Sequence, residues 1–302
     1  MAVYTEPNPR PTPPALSAGG VDLHFGERFY LMGVVNVTPD SFSDGGDYFD
    51  HQSAIEHGVE MAEQGADIID IGGESTRPGA DPVGLGEEIE RVVPVVEALA
   101  DRTNALLSID TTKSEVARRA VEAGAGIVND ISGLGFDDQM AETVAQTGAG
   151  LVLMPINTTP ETTQAAIDYD NTADDVADFF KERIERATDA GIAPDQIILD
   201  PGIGFGKTVE QNYRLIRQLH RFFGFDSPLL LGTSRKSFIG AILDKPPKER
   251  VWGTGATVTA GLMAGADIVR VHDIAQMNDV VRVTEALAGM PQRDTTDRDT
   301  GA

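Results

Sequence analysis

Eight short apolar runs recur along this chain, and each is followed by a stretch with helical spacing. The runs are Tyr30–Val35, Asp67–Ile71, Ala105–Ile109, Gly126–Val128, Gly150–Met154, Gln196–Leu199, Pro228–Leu231 and Ala266–Val271. The helical stretches are Ser53–Gln64, Gly86–Leu99, Lys113–Ala123, Asp137–Thr147, Asn171–Ala190, Val209–Phe222, Thr254–Met263 and Ala275–Leu287. Regular alternation of this kind implies a parallel sheet whose strands are joined by helices. Eight units in 302 residues match the size of an α/β (β/α)8 TIM barrel. A doubly wound sheet is the other arrangement, and it needs a switch in strand order. Gly65, Gly124, Gly148, Gly191 and Gly265 each stand just after a helical stretch and just before a strand, the place for a left-handed helix cap. Four of them open near-repeats, GADIID, GAGIVND, GAGLVLM and GADIVRVHD, which read as one repeated structural unit. The barrel is expected over 21–289, with a Pro-rich disordered arm over 1–20 and a frayed tail over 290–302.

In such a barrel the chemistry lies at the C-terminal ends of the strands. Strand one stops at Asn36 and opens a loop rich in hydroxyls, carboxylates and glycine, Thr38 to Gly46. Strand two leads into GGESTRPG, strand three ends at Asp110, strand four at Asn129 and Asp130, and strand five near Met154. Strand six ends at Asp200, strand seven runs into Ser234, Arg235 and Lys236, and strand eight ends in Arg270, His272 and Asp273. Any one of these could be a helix cap or a solvated side chain. Polar residues at nearly every strand end, and almost none inside the strands, suit a large polar pocket. Asn36, Arg77, Arg235, Lys236, Arg270 and His272 fit a phosphate or pyrophosphate. Asp110, Asn129 and Asp200 fit a planar, nitrogen-rich heterocycle, because carboxylates and an amide accept from ring N–H and exocyclic NH2 groups. The run PGIGFGKT resembles a phosphate-binding loop, but Pro201 stands where that motif needs glycine.

Composition narrows the partners. With 48 acidic and 24 basic residues the net charge is -24. No basic stripe exists to neutralise nucleic-acid phosphates. The excess of acid over lysine suits a surface adapted to a high-salt cytosol, where salt screens self-repulsion. There are no cysteines, so disulfides and thiolate metal sites are excluded. No apolar run reaches the roughly 20 residues that span a bilayer, and no membrane partner is expected. The N-terminus has no apolar core of signal-peptide type, so a cytoplasmic location is expected.

Seven motifs in order carry a resemblance to the dihydropteroate synthase family: NVTPDSFSDGG (Asn36–Gly46), GGESTRPG (Gly72–Gly79), SIDT (Ser108–Thr111), NDISG (Asn129–Gly133), DPGIGFGK (Asp200–Lys207), SRKSFIG (Ser234–Gly240) and RVHD (Arg270–Asp273). The resemblance runs from about Phe25 to Ala288. It implies a pterin-binding barrel that joins 6-hydroxymethyl-7,8-dihydropterin pyrophosphate to p-aminobenzoate, assisted by Mg2+, with sulfonamides competing for the p-aminobenzoate site. It further implies that Asp110, Asn129, Asp200 and Lys236 hold the pterin, with Ile131 and Met154 packed on the ring. Asn36, Arg270 and His272 would bind pyrophosphate, and Asn36 would also ligate Mg2+. Phe42, Asp44, Thr76, Arg77, Pro78, Phe205 and Ser234 would shape the p-aminobenzoate site and its loops. Asp110, Asp200, Lys236, Arg270 and His272 are the expected catalytic set, and a homodimer is the expected assembly.

One segment departs from the family's pattern. After strand five the family shows Met-His-Met-Arg/Gln-Gly and then proline, whereas this chain has Met154, Pro155, Ile156, Asn157, Thr158, Thr159 and Pro160. Two other readings stay open on sequence. One is a non-catalytic or altered-specificity paralogue on the same barrel, and the other is a pterin-dependent methyltransferase domain.

Overall fold

The eight apolar runs become eight parallel strands: Tyr30–Asn36, Ile68–Gly72, Leu106–Asp110, Ile127–Asp130, Gly150–Leu153, Ile197–Leu199, Leu230–Leu231 and Ile268–Val271. They are numbered one to eight below. The computed structural model describes residues 10–38, 51–75, 81–156 and 172–291. Strands one to six neighbour one another in chain order, and strand eight lies between strands one and seven. A parallel bridge between Leu199 and Leu229 joins strand six to the start of strand seven, with the Leu199 N–H donating to Pro228 at 3.0 Å. The ring is thereby closed with no switch in strand order, which excludes the doubly wound arrangement.

Period-two alternation divides each strand between two cores. Side chains of Leu31, Val35, Ile69, Ile71, Leu107, Ile109, Val128, Leu151 and Leu153 join the helices in the outer core. Tyr30, Met32, Ile68, Leu106, Ile127, Val152, Ile198, Leu230 and Ile268 form a second core inside the barrel. Most of these inward residues belong to the N-terminal parts of their strands. The same parity carried forward gives Asn36, Asp70, Asp110, Asn129, Asp200 and Arg270. Six of the eight strands are therefore apolar inside at one end and polar inside at the other, while strand five continues to Met154 and strand seven to Gly232.

The N-terminal residues correct one expectation. Within the stretch read as a disordered arm, Leu16–Ala18 pairs antiparallel with Val21–Leu23. The turn between them is Gly19-Gly20, at φ +58° and +79°, a conformation two-residue hairpin turns demand. Leu16, Ala18, Leu23 and Phe25 are buried against the inward residues of the strands, so the hairpin seals the apolar end of the barrel. Arg10 is tied down as well: its guanidinium pairs with Asp267, donates to the Ser227 carbonyl at 3.0 Å and lies 4.9 Å from the Phe223 ring centroid. A Pro-rich composition hid apolar residues that had a core to enter.

Three helical expectations also shift. The Val209–Phe222 stretch divides into an α-helix, Val209–Arg217, and a 3-10 segment, Leu219–Phe225. The helix expected over Asp137–Thr147 begins at Met140, because both carboxylate oxygens of Asp137 are taken by the backbone N–H groups of Ser114 and Gln139. After strand seven a short helix, Ser237–Leu243, precedes the longer Val251–Met263. No helix among the described residues is long and apolar enough to cross a membrane.

Candidate active site

Register places the inward positions at the ends of strands one to four level with one another. Asn36 pairs with Gly72, Gly72 with Asp110, and Asp110 with Asn129. The lack of a side chain at Gly72 leaves room above Asp70, one inward position lower on the same strand. Asp70 is fully buried. Its Oδ2 accepts from Asn129 Nδ2 at 2.9 Å and from Arg270 Nε at 2.6 Å. Arg270 also donates through an Nη to Asp110 Oδ2 at 2.7 Å. One guanidinium thus bridges carboxylates from strands two and three. Because Asn129 donates downward, its amide oxygen is left as the acceptor for a ligand.

Across the barrel stand Asp200 and Lys236. Asp200 accepts the Gly202 N–H at 2.8 Å. Lys236 donates to the Ile203 carbonyl, and its ammonium lies 4.3 Å from the centroid of the Phe205 ring. The DPGIGFGK segment makes this approach possible. Gly204 sits at φ +85°, and a Cβ there would lie 2.5 Å from Lys236 Cδ. The loop glycines therefore admit a lysine stem close to the backbone, while Lys207 folds back to donate to Gly202 O at 2.9 Å and Phe205 O at 3.2 Å. Between the two polar groups lies a small apolar shelf, Ile131, Met154 and Ile156 with Phe205 packed against it. Ile156 belongs to the divergent strand-five loop and keeps that shelf apolar.

Burial sets the protonation equilibria. It pushes the Asp110 carboxyl up to about 7; Arg270 opposes the shift, and Asp70, Glu88 and Asp130 add to it. Asp200 is raised by burial against the pull of Lys236. Burial lowers the Lys236 ammonium to about 7 and the Lys207 ammonium to about 8, with Asp200 opposing both. Burial also works against the Arg270 charge, but Asp70 and Asp110 outweigh it and hold the guanidinium firmly protonated. Groups poised near neutrality in one apolar-walled cleft mark a functional site.

The remaining candidates divide. His272 Nδ1 lies 2.9 Å from Ser234 Oγ, and the His272 N–H donates to the same oxygen at 3.1 Å, so strands seven and eight present these two together. Arg235 does not join the anion cluster. Its backbone is left-handed, at φ +59°, and its guanidinium binds Asp273, Nε to Oδ2 at 2.9 Å. Asp130 points the other way from Asn129 and caps the Ser132–Leu134 turn through Ser132 N, Ser132 Oγ and Leu134 N. Phe42, Asp44, Thr76, Arg77 and Pro78 lie outside the described residues. The root of the second loop is described: Glu74 and the buried Glu88 both pair with Lys113, and Glu88 accepts from Thr111 Oγ1 at 2.7 Å.

Asp70 is the residue that sequence reading passed over, because it stands inside an apolar run rather than at its end. Period-two counting back from Gly72 would have found it as a carboxylate facing inward.

Comparison with known proteins gives this arrangement its family. The family model described as "Pterin binding enzyme" matches residues 32–272. Dihydropteroate synthase from Synechocystis sp. is 50% identical over 276 residues, covering 91% of this chain and 96% of that one. The chain belongs to the dihydropteroate synthase family. The Escherichia coli dihydropteroate synthase is 46% identical over 257 residues, covering 85% of this chain and 91% of that one. Among solved dihydropteroate synthases, a sulfonamide complex from Yersinia pestis superposes with a TM-score of 0.86 at 44% identity, covering 91% of this chain and 99% of that one. The Xanthomonas albilineans enzyme in complex with 7,8-dihydropteroate gives 0.83 at 40%, covering 92% and 100%.

Proposed function

We propose that this chain is a transferase that condenses 6-hydroxymethyl-7,8-dihydropterin pyrophosphate with p-aminobenzoate, releasing 7,8-dihydropteroate and pyrophosphate, in folate biosynthesis. The observation that carries this reading is the pairing of inward carboxylates and an amide acceptor with an apolar shelf, one side suited to ring N–H groups and the other to a ring face. In this reading Asp110, Asn129 and Asp200 accept from the pterin, Lys236 closes over it, and Ile131 and Met154 pack on its face. The C–O bond to pyrophosphate breaks, leaving positive charge delocalised into the pterin. Asp110 and Asp200 stabilise that charge. The arylamine nitrogen attacks the methylene carbon and then loses a proton, a step that needs positioning more than a strong base. Arg270 uses two of its five donors on Asp70 and Asp110 and keeps others for phosphate oxygens; His272 with Ser234 flanks them. Phe205 and Ser234, with the loop residues Phe42, Asp44, Thr76, Arg77 and Pro78, form the p-aminobenzoate side, where a sulfonamide competes. Pyrophosphate release on mixing the two substrates tests the whole reading, and its absence under saturating conditions rejects it in favour of a binding-only paralogue.

Mg2+ fits this site as a passenger of the substrate. Among the described residues no group of three or more His, Cys, Asp or Glu could cage a metal. Asn36, half-buried at the end of strand one, offers a single side-chain oxygen, which suits an ion held mainly by pyrophosphate oxygens and water. When bound, it neutralises leaving-group charge.

The assembly we propose is a homodimer of a cytoplasmic enzyme. Ile242, Trp252, Val283 and Leu287 are 66%, 80%, 62% and 67% exposed, on three successive helices that pack side by side. Unpartnered apolar groups of this size favour a second protein surface. Trp252→Glu should shift the sedimenting species from dimer to monomer; an unchanged dimer argues against this face. The surface charge carries its own expectation. Melting temperature should rise by several degrees between low and molar KCl as self-repulsion is screened, and a flat series removes the high-salt reading.

A further inference from the structure

We infer that Arg250 is a positioning residue for the site, a staple that holds the Ser234–Lys236 turn so that the Lys236 ammonium reaches the pocket. The inference deepens the pterin reading and rests on it. Lys236 follows a residue in a strained conformation, since Arg235 is left-handed at φ +59° without being glycine. Such a backbone persists only where neighbours hold it. Arg250 is that neighbour. Its Nη1 donates to the carbonyls of Arg235 at 2.9 Å and Lys236 at 3.3 Å. Its Nε donates to the Lys245 carbonyl at 2.7 Å. One guanidinium therefore ties the entry of the Ser237–Leu243 helix to the chain leaving it. Thr254 adds a further tie, with its Oγ1 accepting the Arg235 N–H at 3.1 Å.

Gly240 shows that the seat is built for this side chain. A Cβ at Gly240 would lie 2.3 Å from an Arg250 Nη and 2.4 Å from its Cζ. Alanine at this helix-interior position would otherwise favour the helix. Its cost here is displacement of Arg250. Lysine at position 250 supplies a point charge on a flexible stem and lacks the planar fork that reaches carbonyls on both sides.

The test uses calorimetric titration with 6-hydroxymethyl-7,8-dihydropterin pyrophosphate and Mg2+, on the full chain and its variants. Arg250→Ala and Gly240→Ala should each raise the pterin Kd by about tenfold or more, and either should add little in a Lys236→Ala background, as expected for residues that act through one another. The pH dependence of that Kd gives a second reading. The wild-type inflection near pH 7, where burial places Lys236, should move upward in Gly240→Ala as the ammonium regains water. Fluorescence of the sole tryptophan, Trp252, and circular dichroism establish that each variant is folded; if Arg250→Ala is not, Gly240→Ala and Arg250→Lys decide the matter. A Kd within twofold of wild type in folded variants overturns the inference, as do losses that add fully to that of Lys236→Ala. Failure of the wild-type chain itself to bind the pterin would reject the functional reading instead.

Discussion

Turnover should fall by about 10²- to 10³-fold in both Asp110→Asn and Lys236→Ala, the scale observed when one preorganised electrostatic group is taken from an active site. Each substitution removes a charge from opposite walls of the same cleft. Asp110→Asn keeps shape and hydrogen-bonding capacity but loses the negative charge that faces a cationic pterin. Lys236→Ala removes the ammonium over the Phe205 ring and the counter-charge to Asp200. A coupled pyrophosphate assay measures both, and near wild-type rates in both variants would count heavily against the site described. The same pair predicts an unusual stability profile. Asp110 titrates at about 7 in the folded chain against an ordinary 3.8. The folded state then holds the proton more tightly, and the stability it contributes is lost as pH rises from about 4 to 7. Lys236 titrates at about 7 against an ordinary 10.5. There the unfolded state holds the proton more tightly, so stability is regained as pH rises from about 7 to 10. The two contributions are together smallest near neutrality. Melts across this range should show a shallower fall below pH 7 in Asp110→Asn and a shallower rise above it in Lys236→Ala.

Arg270→Ala should cost about 3–5 kcal/mol of folding stability, the range for removing one partner of a buried ion pair, in addition to abolishing pyrophosphate recognition. Among the described residues, Arg270 and Asn129 are the side-chain donors to the fully buried Asp70, and its Oδ1 meets no donor there. Without the guanidinium, a carboxylate stands in the barrel interior with one amide for company. The charge-free double variant Asp70→Asn/Arg270→Met should recover much of that stability while staying inactive, because the cost lies in the uncompensated charge and not in the missing contact. Denaturant titration distinguishes the outcomes. A loss below about 1 kcal/mol for Arg270→Ala would mean that water, not Arg270, satisfies Asp70.

How much of this was legible in the sequence depends on the kind of signal. Strand and helix alternation is a local pattern, so Tyr30–Asn36 and Ile268–Val271 could be read directly, and with them Asn36, Arg270 and His272. Asp110, Asn129 and Asp200 were legible because polar residues at the ends of apolar runs stand out. Asp70 was not, since nothing local separates an inward carboxylate inside an apolar strand from one that ends it. Arg235 misled for the opposite reason: its type suits an anion, but a left-handed backbone delivers its guanidinium to Asp273. The Leu16–Leu23 hairpin was hidden by flanking prolines. Its strand character comes from a barrel end that needs covering, which is tertiary and not local.

That hairpin has a consequence for how the chain reaches its native state. Leu16 and Leu23 bury against Leu230 and Ile268, and Arg10 pairs with Asp267, 257 residues away. The hairpin also meets inward residues of the earlier strands, Ile127 and Val152 among them, so its seat is complete only when the last two strands have closed the ring. Contacts of such separation slow folding and leave apolar surface waiting in the meantime. Closure of the barrel is a late event that joins Arg10 and the hairpin to strands seven and eight, and a chain interrupted before strand eight would be left with its lower end open.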